Sequence, residues 1–92
     1  MIRSFHCRHT KTLFETGKSR RWTNIADIAT RKLTYLHVAE TLQELRSPPG
    51  NRLELLSGNR AGQHSIRIND QWRLCFRWTD TGAEQVEIVD YH

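Results

Sequence analysis

Apolar residues follow a helical spacing in the first half of the chain and a strand spacing in the second. The helical spacing of i, i+3, i+4 covers Ile25, Ile28, Ala29, Leu33, Leu36 and Ala39. It predicts a main helix from about residue 25 to residue 40, with Thr23 or Asn24 as its N-terminal cap. The stretch "TLQELR" predicts a further turn, and "PPG" at 48–50 predicts a stiff break after it.

After the break, apolar and polar residues alternate as they do in strands. The alternating segments are "NRLELLSG", "QHSIRI", "QWRLCFRWT" and "EQVEIVDYH", and "MIRSF" at the start has the same pattern. Because "NDQ" at 69–71 and "DTGA" at 80–83 form turns, the last three strands are expected to make an antiparallel meander. The predicted fold is a single α+β domain over residues 1–92, with a mainly antiparallel sheet and helices packed on one face.

The alternation also separates the two faces of the predicted sheet. One face carries Ile66, Ile68, Trp72, Leu74, Phe76 and Trp78, and the other carries Ser65, Arg67, Arg73, Cys75 and Arg77. We expect the first face to pack against the helices and the second to expose its arginines. Cys75 lies within an apolar run, so we interpret it as a small core residue rather than a reactive thiol.

Residues 6–21, "HCRHTKTLFETGKSRR", are poor in apolar side chains and rich in charge. Their pattern predicts only a single helical turn around Leu13 and Phe14, ended by Gly17. We therefore expect this segment to be mobile in the free protein. The ligands of "HCRH" are too close together for a usual metal site and no second pair follows, so we interpret them as surface residues.

Length and charge narrow the possible functions. A chain of 92 residues forms one domain with a modest core. Residues 1–22 contain six basic residues and one acidic residue, whereas the rest contains eight basic and nine acidic residues, which favours a polyanion bound near the N-terminal quarter. Eleven of the 14 basic residues are arginine, which suits planar contacts to phosphate.

Without a long apolar run, a secretory leader or closely spaced cysteines, we expect a reduced cytoplasmic protein that does not bind membranes.

The final segment, "VEIVDYH", ends a strand of strong β-formers on Asp90, Tyr91 and His92. Chain termini usually fray, yet such a strand would hold these three titratable side chains in place. A histidine in this position is otherwise most often an exposed tail residue. The pattern alone leaves both interpretations open.

The stretch "LLSGNRAGQHSIRINDQWRLCFRW" closely resembles the central signature of the RelE superfamily of bacterial toxins, and "DYH" narrows the resemblance to the HigB branch. The resemblance runs from "MIRSF" to His92 and is strongest over residues 53–92. It implies a RelE-like fold and a ribosome-dependent endoribonuclease that cuts mRNA in the ribosomal A site without a cofactor. It also implies a HigA-like helix-turn-helix antitoxin, encoded beside the toxin, that carries the complex to operator DNA. The alternative is a non-catalytic RNA- or ribosome-binding module.

The chemistry of RNA cutting gives roles to the residues that carry the resemblance. RNA supplies its own nucleophile, the 2′-hydroxyl, so the protein has to move two protons and stabilise a charged phosphorane. His92 titrates nearest neutrality and is the first candidate for the acid or base. Tyr91 would stack on a base or bind the phosphate, and Asp90 would orient His92 or share the proton transfer. Arg73 would bind the phosphate from the neighbouring strand.

Further contacts to RNA are expected from other arginines. Arg60 and Arg67 would support the RNA backbone, and Arg77 is an additional candidate. Arg20 and Arg21 would hold ribosomal RNA, or contact the antitoxin or its operator DNA. Arginines that are merely solvated are the alternative at each of these positions.

Two positions depart from the family pattern. HigB-like relatives commonly carry histidine at the position of Glu54 and lysine at that of Ser57. The Glu54 carboxylate can act as a base but repels phosphate, and an inert exposed residue is equally open. We therefore predict a comparatively mild toxin.

Overall fold

Four strands form one antiparallel sheet, in the same order as along the chain. The computed structural model describes residues 1–90. Its helices are α1 (Arg8–Thr16) and α2 (Ala26–Val38), and its strands are β1 (Glu54–Leu55), β2 (His64–Arg67), β3 (Trp72–Thr79) and β4 (Gly82–Asp90). Short 3₁₀ turns cover Leu42–Arg46, Pro49–Asn51 and Gly58–Arg60. The α+β class and the meander of the last three strands are confirmed.

Both helices pack on the same face of this sheet, as the alternation predicted. The core contains Leu13, Leu33, Leu36, Ile66, Leu74, Phe76 and Val86, each of them fully buried. These residues come from α1, α2 and three strands, so burial of their side chains fixes both helices on the sheet. Within residues 1–90, neither helix is long and apolar enough to cross a membrane.

The strand predicted over "NRLELLSG" is reduced to the two residues of β1. Arg52, at the end of the Pro49–Asn51 turn, has a φ of +46°, and the Gly58–Arg60 turn follows soon after β1. The Leu56 N–H still donates to the Gln63 carbonyl at 2.8 Å. β1 is therefore a short edge strand, which offers few backbone groups for unwanted pairing.

The segment "MIRSF" runs beside β4 and extends the sheet at its other edge. Isolated parallel bridges join Ile2 to Ala83 and Phe5 to Val86. A Cβ at Gly82, where φ is +135°, would lie 2.0 Å from the Met1 carbonyl oxygen. Only glycine fits this close approach of two backbones, and it lets the N-terminal segment pair with β4.

The start of α2 differs from the prediction. Neither Thr23 nor Asn24 caps the helix, because Ile25 occupies the N-cap position and no side chain caps it. The Ile25 N–H donates to the Trp22 carbonyl at 3.2 Å, and both residues are buried. Burial of two large apolar side chains thus fixes the start of the helix in place of a polar cap.

α1 has nine residues, more than the single turn that the sequence predicts. Gly17 ends it as predicted, with a φ of +73° and its N–H donating to the Leu13 carbonyl at 2.8 Å. Thr10 is fully buried, and its hydroxyl accepts the Ile88 N–H at 3.1 Å. Mobility of residues 6–21 in the free protein stays a prediction, which hydrogen exchange can test.

Candidate active site

The sheet face turned away from the helices carries the predicted arginines. Cross-strand partners point to the same face of a sheet. The register pairs Glu54 with Ser65, Ser65 with Cys75, Cys75 with Glu87, and Arg67 with Arg73. These six residues define what we call the arginine face, on which Arg67 and Arg73 are direct neighbours.

The centre of the arginine face is buried, which corrects the expectation of an exposed surface. Ser65 and Cys75 are fully buried, and Arg73 is only 7% exposed. Burial raises the pKa of the Cys75 thiol, so the thiol remains protonated at neutral pH. Cys75 is therefore confirmed as a small buried residue, although it lies on the face opposite the helices.

Arg73 is buried because its guanidinium bonds to the protein rather than to solvent. Its Nε donates to Ser65 Oγ at 2.8 Å, and its Nη2 donates to the Arg52 carbonyl at 2.6 Å. Nη2 also lies 3.9 Å from a carboxylate oxygen of Glu54, whose side chain is 49% exposed. A guanidinium already fixed by such bonds loses little freedom when it binds an anion.

An open pocket of about 290 Å³ lies beside this guanidinium. We call it the Arg73 pocket, and its lining residues are Arg52, Glu54, Arg67, Asn69, Asp70 and Arg73. Arg67 forms an ion pair with Asp70. The structure thus brings three of the predicted site residues, Glu54, Arg67 and Arg73, to one pocket, and their catalytic roles remain predictions.

Asp90 lies on the sheet face that packs against the helices, opposite the arginine face. It pairs in register with Trp72, whereas Arg73 pairs with Val89. The Gln71 side-chain amide donates to the exposed Asp90 carboxylate at 3.1 Å. Asp90 and Arg73 therefore share one end of the sheet but project from opposite faces. The other two predicted residues of this group, Tyr91 and His92, lie outside the described residues.

Arg60 and Arg77 lie away from the Arg73 pocket. Arg60 Nη1 is 2.7 Å from Glu87 Oε1 and donates to Gln63 Oε1 at 3.1 Å. The exposed Arg77 guanidinium lies against the backbone of Gly62. Arg60 belongs to a second pocket of about 320 Å³, which we call the Glu87 pocket and which is lined by His6, Asn59, Arg60, Gln63 and Glu87. Arg60 and Arg77, both predicted to contact RNA, therefore do not line the Arg73 pocket.

Arg20 and Arg21 line a third and larger pocket, of about 700 Å³. Its lining residues are His9, Thr12, Thr16, Lys18, Ser19, Arg20 and Arg21, with no carboxylate among them, and we call it the basic pocket. The Arg21 guanidinium lies 5.4 Å from the centre of the Trp22 ring, which supports it on one side. Three cations and several hydroxyl groups make this surface suitable for a polyanion.

The histidines of "HCRH" contact different parts of the protein. His6 Nδ1 is 3.2 Å from Gln85 Oε1, whereas the His9 ring packs edge-on against Trp22. No group of three His, Cys, Asp or Glu side chains suited to a metal occurs among residues 1–90.

Sequence reasoning missed a buried polar pair that supports the Arg73 pocket. Lys32 is 8% exposed and Asn51 is fully buried, and the Lys32 ammonium donates to Asn51 Oδ1 at 2.6 Å. Burial and nearby arginines lower the Lys32 pKa. The Asn51 amide donates to two carbonyls of the preceding turn, Leu45 and Ser47. The pair therefore fixes the backbone just before the Arg52 carbonyl that holds Arg73.

Comparison with known proteins places the chain in a family. Residues 3–92 match the family described as "RelE-like toxin of type II toxin-antitoxin system HigB". Toxin HigB-1 of Vibrio cholerae serotype O1 (strain ATCC 39315 / El Tor Inaba N16961) is 40% identical over 82 residues, covering 87% of this chain and 86% of that toxin. An uncharacterized protein of Haemophilus influenzae (strain ATCC 51907 / DSM 11121 / KW20 / Rd) is 40% identical over 55 residues, covering 60% of this chain and 54% of that protein.

The architecture agrees with this match. Two helices on one face of a four-stranded antiparallel sheet form the α+β arrangement expected of a RelE-like fold. The chain therefore belongs to the HigB-like family of RelE-like toxins of type II toxin-antitoxin systems.

Proposed function

We propose that this type II toxin is a metal-independent endoribonuclease that cuts mRNA on the ribosome and thereby inhibits translation. The observation that carries the proposal is the Arg73 guanidinium, which Ser65 and the Arg52 carbonyl fix beside an open pocket. A planar guanidinium pairs with phosphate oxygens through parallel N–H bonds, and a fixed one needs no rearrangement as charge develops on the phosphate. Membership of the HigB-like family supports the same role.

The reaction needs two proton transfers and one centre of positive charge. A base takes the proton of the 2′-hydroxyl, whose oxygen then attacks the adjacent phosphorus. The bond from phosphorus to the 5′-oxygen breaks, and an acid protonates that oxygen, which leaves a 2′,3′-cyclic phosphate and a 5′-hydroxyl. Arg73 and Arg67 face the charge of the phosphorane. Because the nucleophile belongs to the RNA, no metal-bound water is required.

We assign the proton transfers to residues 90–92. His92 is the proposed acid or base, and Tyr91 stacks on a base or binds the phosphate. Since Asp90 starts on the helix side and its carboxylate accepts a bond from Gln71, orienting His92 suits it better than touching the phosphate. Glu54, 3.9 Å from Arg73, is close enough to act as a base and also weakens the positive charge of the site.

Partners follow from the family and from the charge of the basic pocket. A type II toxin has an antitoxin, and we propose that this one is a HigA-like helix-turn-helix protein that links the complex to operator DNA. Arg20, Arg21 and Lys18 would hold ribosomal RNA, since no carboxylate lines their pocket. The place of action would be the cytoplasm, where ribosomes and mRNA are found.

Purified toxin mixed with ribosomes and a defined mRNA tests the proposal. The parent protein should release cut mRNA, and His92→Ala and Arg73→Lys should each remove most cutting. Lysine keeps the charge at position 73 but cannot reproduce the fork of bonds to Ser65 and Arg52. The control is Arg31→Lys, the same change at an exposed arginine of α2. Circular dichroism and thermal unfolding would show that each variant is folded.

A binding module without catalysis is the second candidate, favoured by the placement of Asp90 off the arginine face. Such a module would bind ribosomes tightly while leaving mRNA intact. Cosedimentation with ribosomes, measured in the same samples, separates the two functions. Strong binding by a parent protein that cuts no mRNA would reject the endoribonuclease.

A further inference from the structure

The Glu87 pocket lies on the same surface as the Arg73 pocket. Glu87 is opposite Cys75 in the register, and Val89 is opposite Arg73. Two residues along a strand correspond to about 7 Å, so Glu87 follows Arg73 closely on the arginine face. An RNA strand whose phosphate contacts Arg73 would therefore bring an adjacent nucleotide to Glu87.

The groups in this pocket differ from those that bind phosphate. Arg60 and Glu87 are 2.7 Å apart and neutralise each other, so the pocket lacks a net positive charge. Asn59 and Gln63 add two carboxamides, and His6 adds a flat ring. Carboxamides and a carboxylate read the edges of bases, while imidazole and guanidinium planes stack on them.

Glu87 has an acceptor oxygen placed for such a contact. Oε1 forms an ion pair with Arg60 Nη1 at 2.7 Å, whereas Oε2 is 3.7 Å from His6 Nε2, which is beyond hydrogen-bond distance. The Glu87 side chain is 15% exposed, so its carboxylate is partly enclosed but open toward the pocket. An ionised carboxylate only accepts hydrogen bonds, and it therefore selects a donor.

We propose that the Glu87 pocket binds one base of the mRNA beside the cut phosphate and prefers a base with an exocyclic amino group. Guanine, adenine and cytosine carry such a donor and uracil does not. Arg60 has two effects there: it prevents Glu87 from repelling the nearby phosphate and it leaves Oε2 as the acceptor. This role rests on the proposed endoribonuclease function, and it gives Arg60 a place in base recognition rather than in phosphate binding.

The experiment compares where the variants cut. The parent, Glu87→Gln and Asn59→Ala are each incubated with ribosomes and mRNAs of varied codons, and the new 5′ ends are sequenced. Glutamine has the shape of glutamate but both donates and accepts, so Glu87→Gln should lose discrimination against uracil at one position by roughly 5- to 100-fold. Asn59→Ala, in an exposed turn, gives a second variant that leaves the sheet unchanged. Asp80→Asn, at the exposed β3–β4 turn, is the control and should keep the parent profile.

The possible outcomes separate this inference from the proposed function. A parent that cuts mRNA, with identical sequence profiles in all variants, would overturn the base-reading role and leave the endoribonuclease intact. Uniformly slower cutting by Glu87→Gln at every sequence would also overturn it, because that result indicates a structural role. An unchanged profile with weakened binding of the antitoxin would assign the pocket to the antitoxin instead. A parent that cuts nothing would reject both.

Discussion

The Arg73 pocket and the basic pocket both contain arginines, but they hold the charge in opposite ways. Arg73 is 7% exposed and bonded to Ser65 and to the Arg52 carbonyl. Arg20 and Arg21 are exposed and line their pocket without a carboxylate. A fixed, largely buried charge acts strongly on the one phosphate that contacts it. Solvated charges attract a polyanion from a distance and are screened by salt. The first suits chemistry and the second suits docking.

The largest effect is expected where the charge is fixed. Arg73→Lys should lower mRNA cutting by roughly 100- to 1,000-fold, because losing one preorganised donor to a developing oxyanion typically costs that much. Single-turnover cleavage on saturating ribosomes measures it, with Arg31→Lys as the control. A loss below about threefold would mean that Arg73 positions the strands and does not face the reacting phosphate.

A smaller gain is expected from changing the carboxylate in the same pocket. Glu54→His, alone or with Ser57→Lys, should raise cutting by about tenfold, since even ~1.4 kcal/mol of relieved repulsion has that effect. The reason is the 3.9 Å separation of Glu54 and Arg73, across which the carboxylate competes with phosphate. Growth inhibition at equal protein levels provides a second measurement.

The control for that change is Glu40→His, an exposed carboxylate outside the pocket. Slower cutting by Glu54→His in a folded protein would identify Glu54 as the working base. Equal cutting would show that the carboxylate is inert and that the Arg73 pocket tolerates it.

The basic pocket should respond mainly through salt dependence. Replacing Arg20 and Arg21 together with glutamine should weaken ribosome binding and reduce the slope of log affinity against log salt by roughly 1 for each lost phosphate contact. Cosedimentation at several salt concentrations measures this slope. The matched control replaces Arg31 and Arg46, two exposed arginines elsewhere. Equal slopes for both double variants would remove the distinction between docking and general charge.

The smallest effect concerns a charge that is exposed but fixed by the backbone. The Glu44 carboxylate accepts the N–H groups of Glu40 and Thr41, and these bonds hold the Glu44 pKa below its ordinary value of 4.5. A lowered carboxyl pKa stabilises the fold above pH 4.5 and loses this contribution as the pH falls through the folded pKa. Glu44→Gln should therefore lower the unfolding midpoint at neutral pH, and the difference should vanish in acid. A midpoint difference that persists in acid would point to packing instead.

The sequence could predict the arginine face because strand geometry fixes side-chain direction. Period-two alternation was enough to place Arg67 and Arg73 together and to separate them from Ile66 and Leu74. The same alternation places Asp90 on the face of Val86 and Ile88, because these three residues occur at every second position. The roles predicted for Asp90, orienting His92 or sharing the proton transfer, stay predictions.

Other features depended on contacts between distant residues. The bond between Arg73 and the Arg52 carbonyl spans 21 positions and depends on where the Pro49–Asn51 turn packs. Local patterns do not contain that information. Lys32 did leave a signal, because it lies on the apolar stripe of α2 between Ala29 and Leu36, where a buried lysine requires a partner. That partner, Asn51, could be identified only in three dimensions.

The pairing of the N-terminal segment with β4 has a consequence for how the protein folds during synthesis. Ser4 and Gln85, bonded through the Ser4 hydroxyl, are 81 positions apart, and the Ile88 N–H reaches back 78 positions to Thr10. Such long-range pairings form slowly, because a large loop has to close before they contribute stability. The pairing of the N-terminal segment with β4 and the packing of α1 against β4 therefore cannot form until β4 has left the ribosomal tunnel. A nascent toxin chain therefore lacks Glu87, and with it part of the arginine face, until β4 has left the tunnel.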